Sequence, residues 1–488
     1  MKFIIKLFPE ITIKSKPVRK RFITQLRRNI KAVLNNAQID AIVQGVWDNI
    51  EVTTESQDEA LCERIMDVLT SIPGIAKVLA VDALPLVDFD GVYQAALRHY
   101  AHQLKGKYFS VRVKRAGRHD FTSLDMEKYV GGGLRQNTEA AGVRLTDPDI
   151  EVKIEIKQDK VFIVRETRKG LGGFPLGTQD AVLSLISGGF DSNVSSYLMM
   201  KRGLLTHFCF FNLGGNAHEV GVKQVAHYLW SKFGSSHNVN FVTIPFEDVV
   251  GEILKNVDNA YMGVILKRMM LRAASEVAKD MKKVEALVTG EAVAQVSSQT
   301  LRNLSVIDSV TQTLVLRPLV TWDKQDIIDT CRVIGTHDFA ASMPEFCGVI
   351  SVNPTVKAEP RKVEAEEANF DFAVLDAAIA AARIQRVADV LETQQGLMDV
   401  TLVEIPAASD VIIDVRAPAE EEAKPLQLTN NTVLKIPFYE LGKRIKELPD
   451  DKTYLLYCEK GTMSQLHAQQ MTQDGRTNIR VYKPKKDK

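Results

Sequence analysis

The stretch Ala181-Val182-Leu183-Ser184-Leu185-Ile186-Ser187-Gly188-Gly189-Phe190-Asp191-Ser192 decides the fold. It runs into Asn193-Val194-Ser195-Ser196-Tyr197-Leu198-Met199-Met200. It reads as a buried strand, a tight glycine turn and the first turns of a helix. Glycines let a backbone approach an anion closely, and the free N–H groups of a first helical turn point at it. Ser187 and Ser192 add hydroxyl donors, and Asp191 can hold a metal ion or orient a pyrophosphate leaving group. No Gly-Lys-Ser/Thr follows, which excludes the Walker loop, and Gly-x-Gly-x-x-Gly is missing, which excludes the dinucleotide fingerprint. The plainer alternative is an ordinary glycine turn in an α/β unit. Agreement of strand, turn and helix favours the anion site.

Working outward, the chain alternates strand and helix. Segments 181–186, 207–212, 240–244 and 286–289 read as strands, and 192–202, 218–233 and 263–280 as helices. That rhythm predicts a doubly wound parallel sheet. Upstream lie two small α+β patterns. The first has strands 3–7 and 49–54 with helices 17–34 and 58–70. The second has a helix 88–104, a strand 108–115, a helix approaching the glycines 131–133, and a hairpin 150–157/160–167 turning at Gln158-Asp159. Gly170 to Gly177 reads as a linker or an active-site loop. Downstream, an acidic, alanine-rich helical stretch opens at 354–360 as a connector. A last α/β pattern follows, with strands 411–415, 454–457 and 479–482 and a helix 463–470.

Composition bounds the class. The 488 residues are 45% hydrophobic and 25% charged, as in an ordinary soluble protein of three or four domains. No apolar run reaches the ~18 residues of a membrane span. Lys2, Lys6 and Glu10 break the N-terminal apolar run, so no signal peptide is expected, and the expected location is the cytoplasm. The net charge of +1 conceals an asymmetry. Residues 1–36 hold ten Lys/Arg against Glu10 alone, whereas 363–422 hold fourteen Asp/Glu against three Arg. A basic front is suited to a polyanion. The plainer alternative is a solvated helix face.

Five cysteines are present, none in C-x-x-C spacing, which argues against a zinc ribbon or a disulfide framework. Cys62, Cys209 and Cys331 fall in helix-like or strand-like runs and read as core. Cys347, in Glu345-Phe346-Cys347-Gly348, reads as loop-borne and reachable. Cys458 follows the strand 454–457 and precedes the helix 463–470, so backbone N–H groups there can stabilise a thiolate or persulfide. No residues are expected to form a resident metal centre.

Three motifs carry a resemblance. Ser187–Ser192 resembles the PP-loop of ATP pyrophosphatases, which make AMP esters of their substrates. Asp414-Val415-Arg416 with Cys458-Glu459-Lys460-Gly461-Thr462-Met463-Ser464 resembles a rhodanese loop, with Glu459 where many members have Arg. Val113-Lys114-Arg115 with His119 and Phe121-Thr122-Ser123 is similar to a THUMP segment. Taken in chain order, THUMP segment, PP-loop and then rhodanese loop, they resemble the bacterial tRNA 4-thiouridine synthetases, a sulfurtransferase family that also serves thiazole and thiamine biosynthesis.

The resemblance implies a ferredoxin-like domain at 1–60, a THUMP RNA-binding domain at 61–167, and a PP-loop adenylation domain at 178–355. An acidic linker at 356–404 and a rhodanese domain at 405–485 complete it. It implies ATP, with Mg2+, bound by Leu185, Ile186, Ser187, Gly188, Gly189, Asp191, Ser192, Lys267, Gly290 and Gln299. Leu185 and Ile186 would offer backbone contacts to adenine, and Lys267 would meet phosphate. The implied reaction adenylates uridine 8 of tRNA and replaces its oxygen by sulfur. Cys458 would carry that sulfur as a persulfide and Cys347 would release it, leaving a redox-active disulfide between residues 111 apart in the chain. Implied partners are tRNA, a cysteine desulfurase, the sulfur-carrier protein of thiazole synthesis and a second copy of the chain. Lys114, Arg115, Arg118 and His119, with Lys16, Arg19, Lys20 and Arg21, are the candidate RNA contacts. The rival readings are a PP-loop ligase or amidotransferase, which would not need Cys458, and a non-catalytic RNA-binding protein, which would ignore ATP.

Overall fold

A computed structural model describes residues 1–46, 49–213, 215–343, 354–391, 400–416, 421, 424–436, 441, 444–459, 462–473 and 475–484. The chain divides into two compact units, Met1–Thr178 with Lys201–Gly203, and Gln179–Met200 with Leu204–Lys488.

The first unit is built on one eight-stranded sheet. Its strands are β1 (Lys2–Leu7), β2 (Ile42–Val46), β3 (Asn49–Thr53), β4 (Ile75–Pro85), β5 (Tyr108–Ala116), β6 (Gly142–Val143), β7 (Ile150–Lys157) and β8 (Lys160–Lys169). The order is β2-β3-β1-β4-β8-β7-β5-β6. Helices Lys16–Asn36 and Glu59–Thr70 bury Leu26, Ile30, Ile65 and Leu69 against Phe3, Ile5 and Val78. Helices Phe89–Tyr100 and Ser123–Asn137 bury Val92, Met126 and Leu134 against Val111, Ile154 and Ile163. Strand β4 pairs with β1 on one edge and β8 on the other, so it joins the two cores.

Strands β2 and β4 are additions to the sequence reading. In β4 the run Val78-Leu79-Ala80-Val81 is buried on both faces, which erases the alternation that marks a half-exposed strand. The glycines 131–133 also need correction, because they lie inside a helix rather than beyond one. Burial of Val130 and Leu134 and a Thr122–Asp125 capping box hold that helix against its glycines. Segment 170–177 packs as structure too. Phe174 meets Phe8 and Phe22 edge-on at 6.2 and 5.7 Å, and Asn29 Nδ2 donates to the Leu176 carbonyl at 2.9 Å.

The second unit holds two sheets. The larger comprises β9 (Ala181–Leu185), β10 (Leu205–Asn212), β11 (Asn240–Pro245), β12 (Val284–Val288), β13 (Leu314–Leu316) and β14 (Arg383–Arg386). Its order is β13-β12-β9-β10-β11-β14, parallel except for β14. From β9 the chain builds outward to β11, then returns to the other side of β9 as β12. The doubly wound expectation holds, and the direction of winding switches between β9 and β12, where such sheets open a ligand crevice at their carboxyl ends.

Part of the expected acidic linker is built into this core. Ala358, Val363, Phe370, Leu375 and Ala378 pack with Ile253, Ile265 and Met269. Glu367 forms a buried ion pair with Arg268 at 2.6 Å, and β14 extends the sheet edge. Apart from the buried Glu367, the acidic composition reported outward residues such as Glu364 and Asp376 of helices Pro360–Glu367 and Phe372–Ala380, not their apolar sides.

The smaller sheet comprises β15 (Leu402–Val403), β16 (Val411–Asp414), β17 (Val433–Lys435), β18 (Tyr454–Tyr457) and β19 (Ile479–Tyr482), all parallel, in the order β15-β19-β18-β16-β17. Its central strand β18 leads into Cys458. Among the described residues no helix is long and apolar enough to cross a membrane.

Candidate active site

Beyond β9 the chain turns through Gly188, whose φ of +83° favours glycine, into the helix Phe190–Lys201. Three successive turn carbonyls are tied to protein donors. His218 Nε2 lies 3.2 Å from the Ser187 carbonyl, Asn193 Nδ2 donates to Gly188 at 3.0 Å, and the Ser192 hydroxyl donates to Gly189 at 3.1 Å. The Ser187 N–H is held by Ser192 Oγ at 3.2 Å. With those carbonyls engaged, the first-turn N–H groups, which have no intrahelical acceptor, are what the turn can offer an anion. A carbonyl accepts only, so His218 Nε2 carries the proton. Burial holds the His218 pKa below the usual value, against the opposing pull of its bond to Ser187.

The loop after β12 closes the other side. A β-carbon on Gly290 would lie 2.7 Å from the Asp191 carbonyl carbon and 2.9 Å from the Ser192 nitrogen, so backbone rests on backbone there. The Asp191 carboxylate takes Lys324 Nζ at 2.8 and 3.0 Å and Gln295 Nε2 at 2.9 Å. Lys267 reaches Glu291 at 2.7 Å. Gln299 is buried, and its Oε1 finds no partner among the described residues. Leu185 ends the strand, and the Ile186 N–H donates to the Cys209 carbonyl at 2.9 Å. The candidate nucleotide residues therefore lie on the β9 turn, the helix after it, the β12 loop and the helix Met262–Lys279. Lys324, Gln295, Arg317 and His218 were missed in the sequence reading. Lys324 opens a helix 133 residues beyond Asp191, and no local pattern marks such a pairing.

In the smaller sheet the Cys458 sulfur accepts from the Ser464 N–H at 3.4 Å and lies 3.4 Å from the Ser464 hydroxyl, at the start of the helix Thr462–Gln473. Asp414 and Arg416 form a buried pair at 2.6 Å. Arg416 also donates to the Lys424 carbonyl at 2.9 Å and lies over the Tyr457 ring at 5.2 Å. Arg416 thus ties the end of β16 to the Lys424 backbone and the Tyr457 ring. Lys424 bridges to Glu459, next to Cys458, at 2.7 Å. Cys347 lies outside the described residues. Cys62, Cys209 and Cys331 are buried, and burial raises the pKa of each thiol, which suits packing and not reactivity.

The candidate RNA residues are arranged in two groups. Lys114 and Arg118 are exposed, while Arg115 lies 3.2 Å from His119 Nδ1 and over the Phe121 ring. Lys16, Lys20 and Arg21 are exposed on their helix, and Arg19 reaches the Thr12 carbonyl.

A glycine turn at a sheet switch point, in one chain with a cysteine at a helix start, suits an enzyme that binds an anionic substrate and carries a reactive thiol. Family models agree. "Thiamine biosynthesis protein (ThiI)" matches residues 177–372, "THUMP domain" 87–165, "ThiI ferredoxin-like domain" 2–78 and "Rhodanese-like domain" 400–484. The tRNA sulfurtransferase of Pseudomonas syringae pv. tomato is 53% identical over 484 residues, covering 99% of this chain and 100% of that protein. The tRNA sulfurtransferase of Salmonella typhi is 53% identical over 485 residues with the same coverage. A solved 4-thiouridine synthetase, crystallised with RNA and ATP, matches with a TM-score of 0.70 and 25% identity, over 79% of this chain and 99% of that one. This chain belongs to the tRNA sulfurtransferase family.

Proposed function

We propose that the chain uses ATP to move persulfide sulfur onto uridine 8 of tRNA, forming 4-thiouridine. The observation that carries the reading is the pairing, in one chain, of the cradle at Ser187–Ser192 with the Cys458 sulfur facing the Ser464 N–H. Turn N–H groups and Lys267 hold the phosphates. Asp191, with Lys324 and Gln295 upon it, faces the leaving pyrophosphate. Mg2+ would accompany the nucleotide phosphates, with Asp191 as its protein carboxylate and charge neutralisation as its chemistry.

The 4-oxygen of uridine attacks the α-phosphorus, pyrophosphate leaves, and the oxygen becomes part of a departing AMP. The outer sulfur of the Cys458 persulfide bonds to carbon 4 as AMP leaves. The Cys347 thiolate then attacks Cys458 Sγ, which frees 4-thiouridine and leaves a Cys347–Cys458 disulfide. An external dithiol supplies the two electrons that reopen it. A cysteine desulfurase is the proposed sulfur source, the thiazole sulfur-carrier protein a second acceptor, the homodimer the assembly and the cytoplasm the location.

With ATP, desulfurase, cysteine and unmodified tRNA, nucleoside analysis is expected to find 4-thiouridine. Equal thiolation without ATP would refute the mechanism. Binding of tRNA through the basic face is expected to weaken linearly in log–log form with salt, by about 0.7 to 0.9 per phosphate contact. An affinity unchanged between low and moderate salt would remove the basic surface from the account.

A further inference from the structure

Glu291 follows Gly290, the residue seated on the cradle backbone. Its carboxylate is buried and fully engaged. Oε1 accepts from Lys267 at 2.7 Å, and Oε2 accepts from Arg317 Nε at 2.9 Å and from the Thr289 hydroxyl at 3.0 Å. Arg317 is fixed in turn by two bonds to Asp308, at 2.8 and 2.5 Å. Two acids and two bases thus form a neutral chain beside the crevice. Burial raises the Glu291 pKa, but Lys267 and Arg317 outweigh it and lower the value, so the carboxylate stays charged at neutral pH.

The two cations differ. The Lys267 side chain keeps 22% of its surface exposed, against 11% for Arg317. Among the described residues Lys267 spends one of its three ammonium donors on Glu291 and keeps two for a ligand, whereas Arg317 is spread across two carboxylates. A lysine on its flexible stem adopts many rotamers unless something selects one. Here the selecting acid is attached directly to the residue that touches Asp191 and Ser192, so the ammonium is indexed to the phosphate cradle.

We propose that Glu291 is a positioning residue that holds the Lys267 ammonium at the nucleotide phosphates, with Arg317 and Asp308 fixing the acid from behind. The inference rests on the proposed phosphate role of Lys267. A double-mutant cycle on the full chain, following ATP-dependent pyrophosphate release with unmodified tRNA, tests both. Glu291→Gln and Lys267→Ala are each expected to lower kcat/KM for ATP by about 30-fold, and the double variant by no more than about 100-fold, because the same interaction is lost.

A structural role alone would act whether or not Lys267 is present. Multiplying losses, near 900-fold in the double variant, would overturn the inference while leaving the phosphate role of Lys267 intact. A silent Lys267→Ala would overturn both. Should Glu291→Gln fold poorly, Thr289→Val removes one bond to Glu291 and keeps every charge. It is expected to cost about three- to fivefold in the presence of Lys267 and nothing in its absence. An equal cost in both backgrounds would also overturn the inference.

Discussion

Cys458→Ser is expected to lower 4-thiouridine formation by at least about 10³-fold while tRNA affinity changes by less than about a factor of two, as when a nucleophile is lost and binding groups are kept. The pocket explains the split. Serine retains a partner for the Ser464 N–H and hydroxyl, now 3.4 Å from sulfur, so the loop keeps its hydrogen bonds. The buried Asp414–Arg416 pair is untouched, so the strand ends that frame the loop stay fixed. Only the capacity to carry a second sulfur is removed. The candidate RNA contacts Lys114, Arg118, Lys16 and Lys20 belong to the first unit of the chain, and Cys458 belongs to the second. Two measurements check the prediction: labelled sulfur on the protein after desulfurase treatment, and a tRNA titration. Retained thiolation would discard Cys458 as carrier, and a tenfold loss of affinity would give it an unforeseen part in RNA binding.

The local structure of the candidate sites was legible in the sequence because it is short in range. Strand β9, the Gly188 turn and the helix after it are contiguous, and each residue type there suits its local conformation. The same holds for β18, Cys458 and the helix after it. Residues whose meaning lies in a distant partner were hidden. Lys324 on Asp191 and Arg317 on Glu291 are pairings made by the sheet, not by spacing. Composition misled at residues 358–386, where acidic outer faces outweighed Val363, Phe370 and Leu375 pointing inward. It also misled at Gly131–Gly133. There a β-carbon on Gly133 would lie 2.6 Å from the Tyr93 ring, so glycines read as lying beyond a helix serve its packing from within.

Gly290→Ala is the sharpest steric test of the cradle. The added carbon would sit 2.7 Å from the Asp191 carbonyl carbon, 2.9 Å from its oxygen and 2.9 Å from the Ser192 nitrogen. All three are backbone atoms at a helix start, so no side chain can swing aside. The β12 loop or the helix must retreat by about half an ångström to an ångström, at a cost of about 1–3 kcal/mol for overpacking. A fold of this size tolerates that strain, but a phosphate site does not tolerate the shift, because a displacement of ~1 Å at a reacting group can cost about 10²-fold. The retreat moves Asp191 and the first-turn N–H groups away from Glu291 and Lys267 together. Pyrophosphate release with tRNA is therefore expected to fall about 10²-fold in kcat/KM for ATP, with tRNA binding retained. Gly251→Ala is the matched control, since a β-carbon there meets nothing within 4 Å, and turnover should be unchanged. Normal ATP turnover in Gly290→Ala would mean that the contact between the β12 loop and the Asp191 backbone does not set the geometry of phosphate binding, and that the nucleotide is held elsewhere along the crevice.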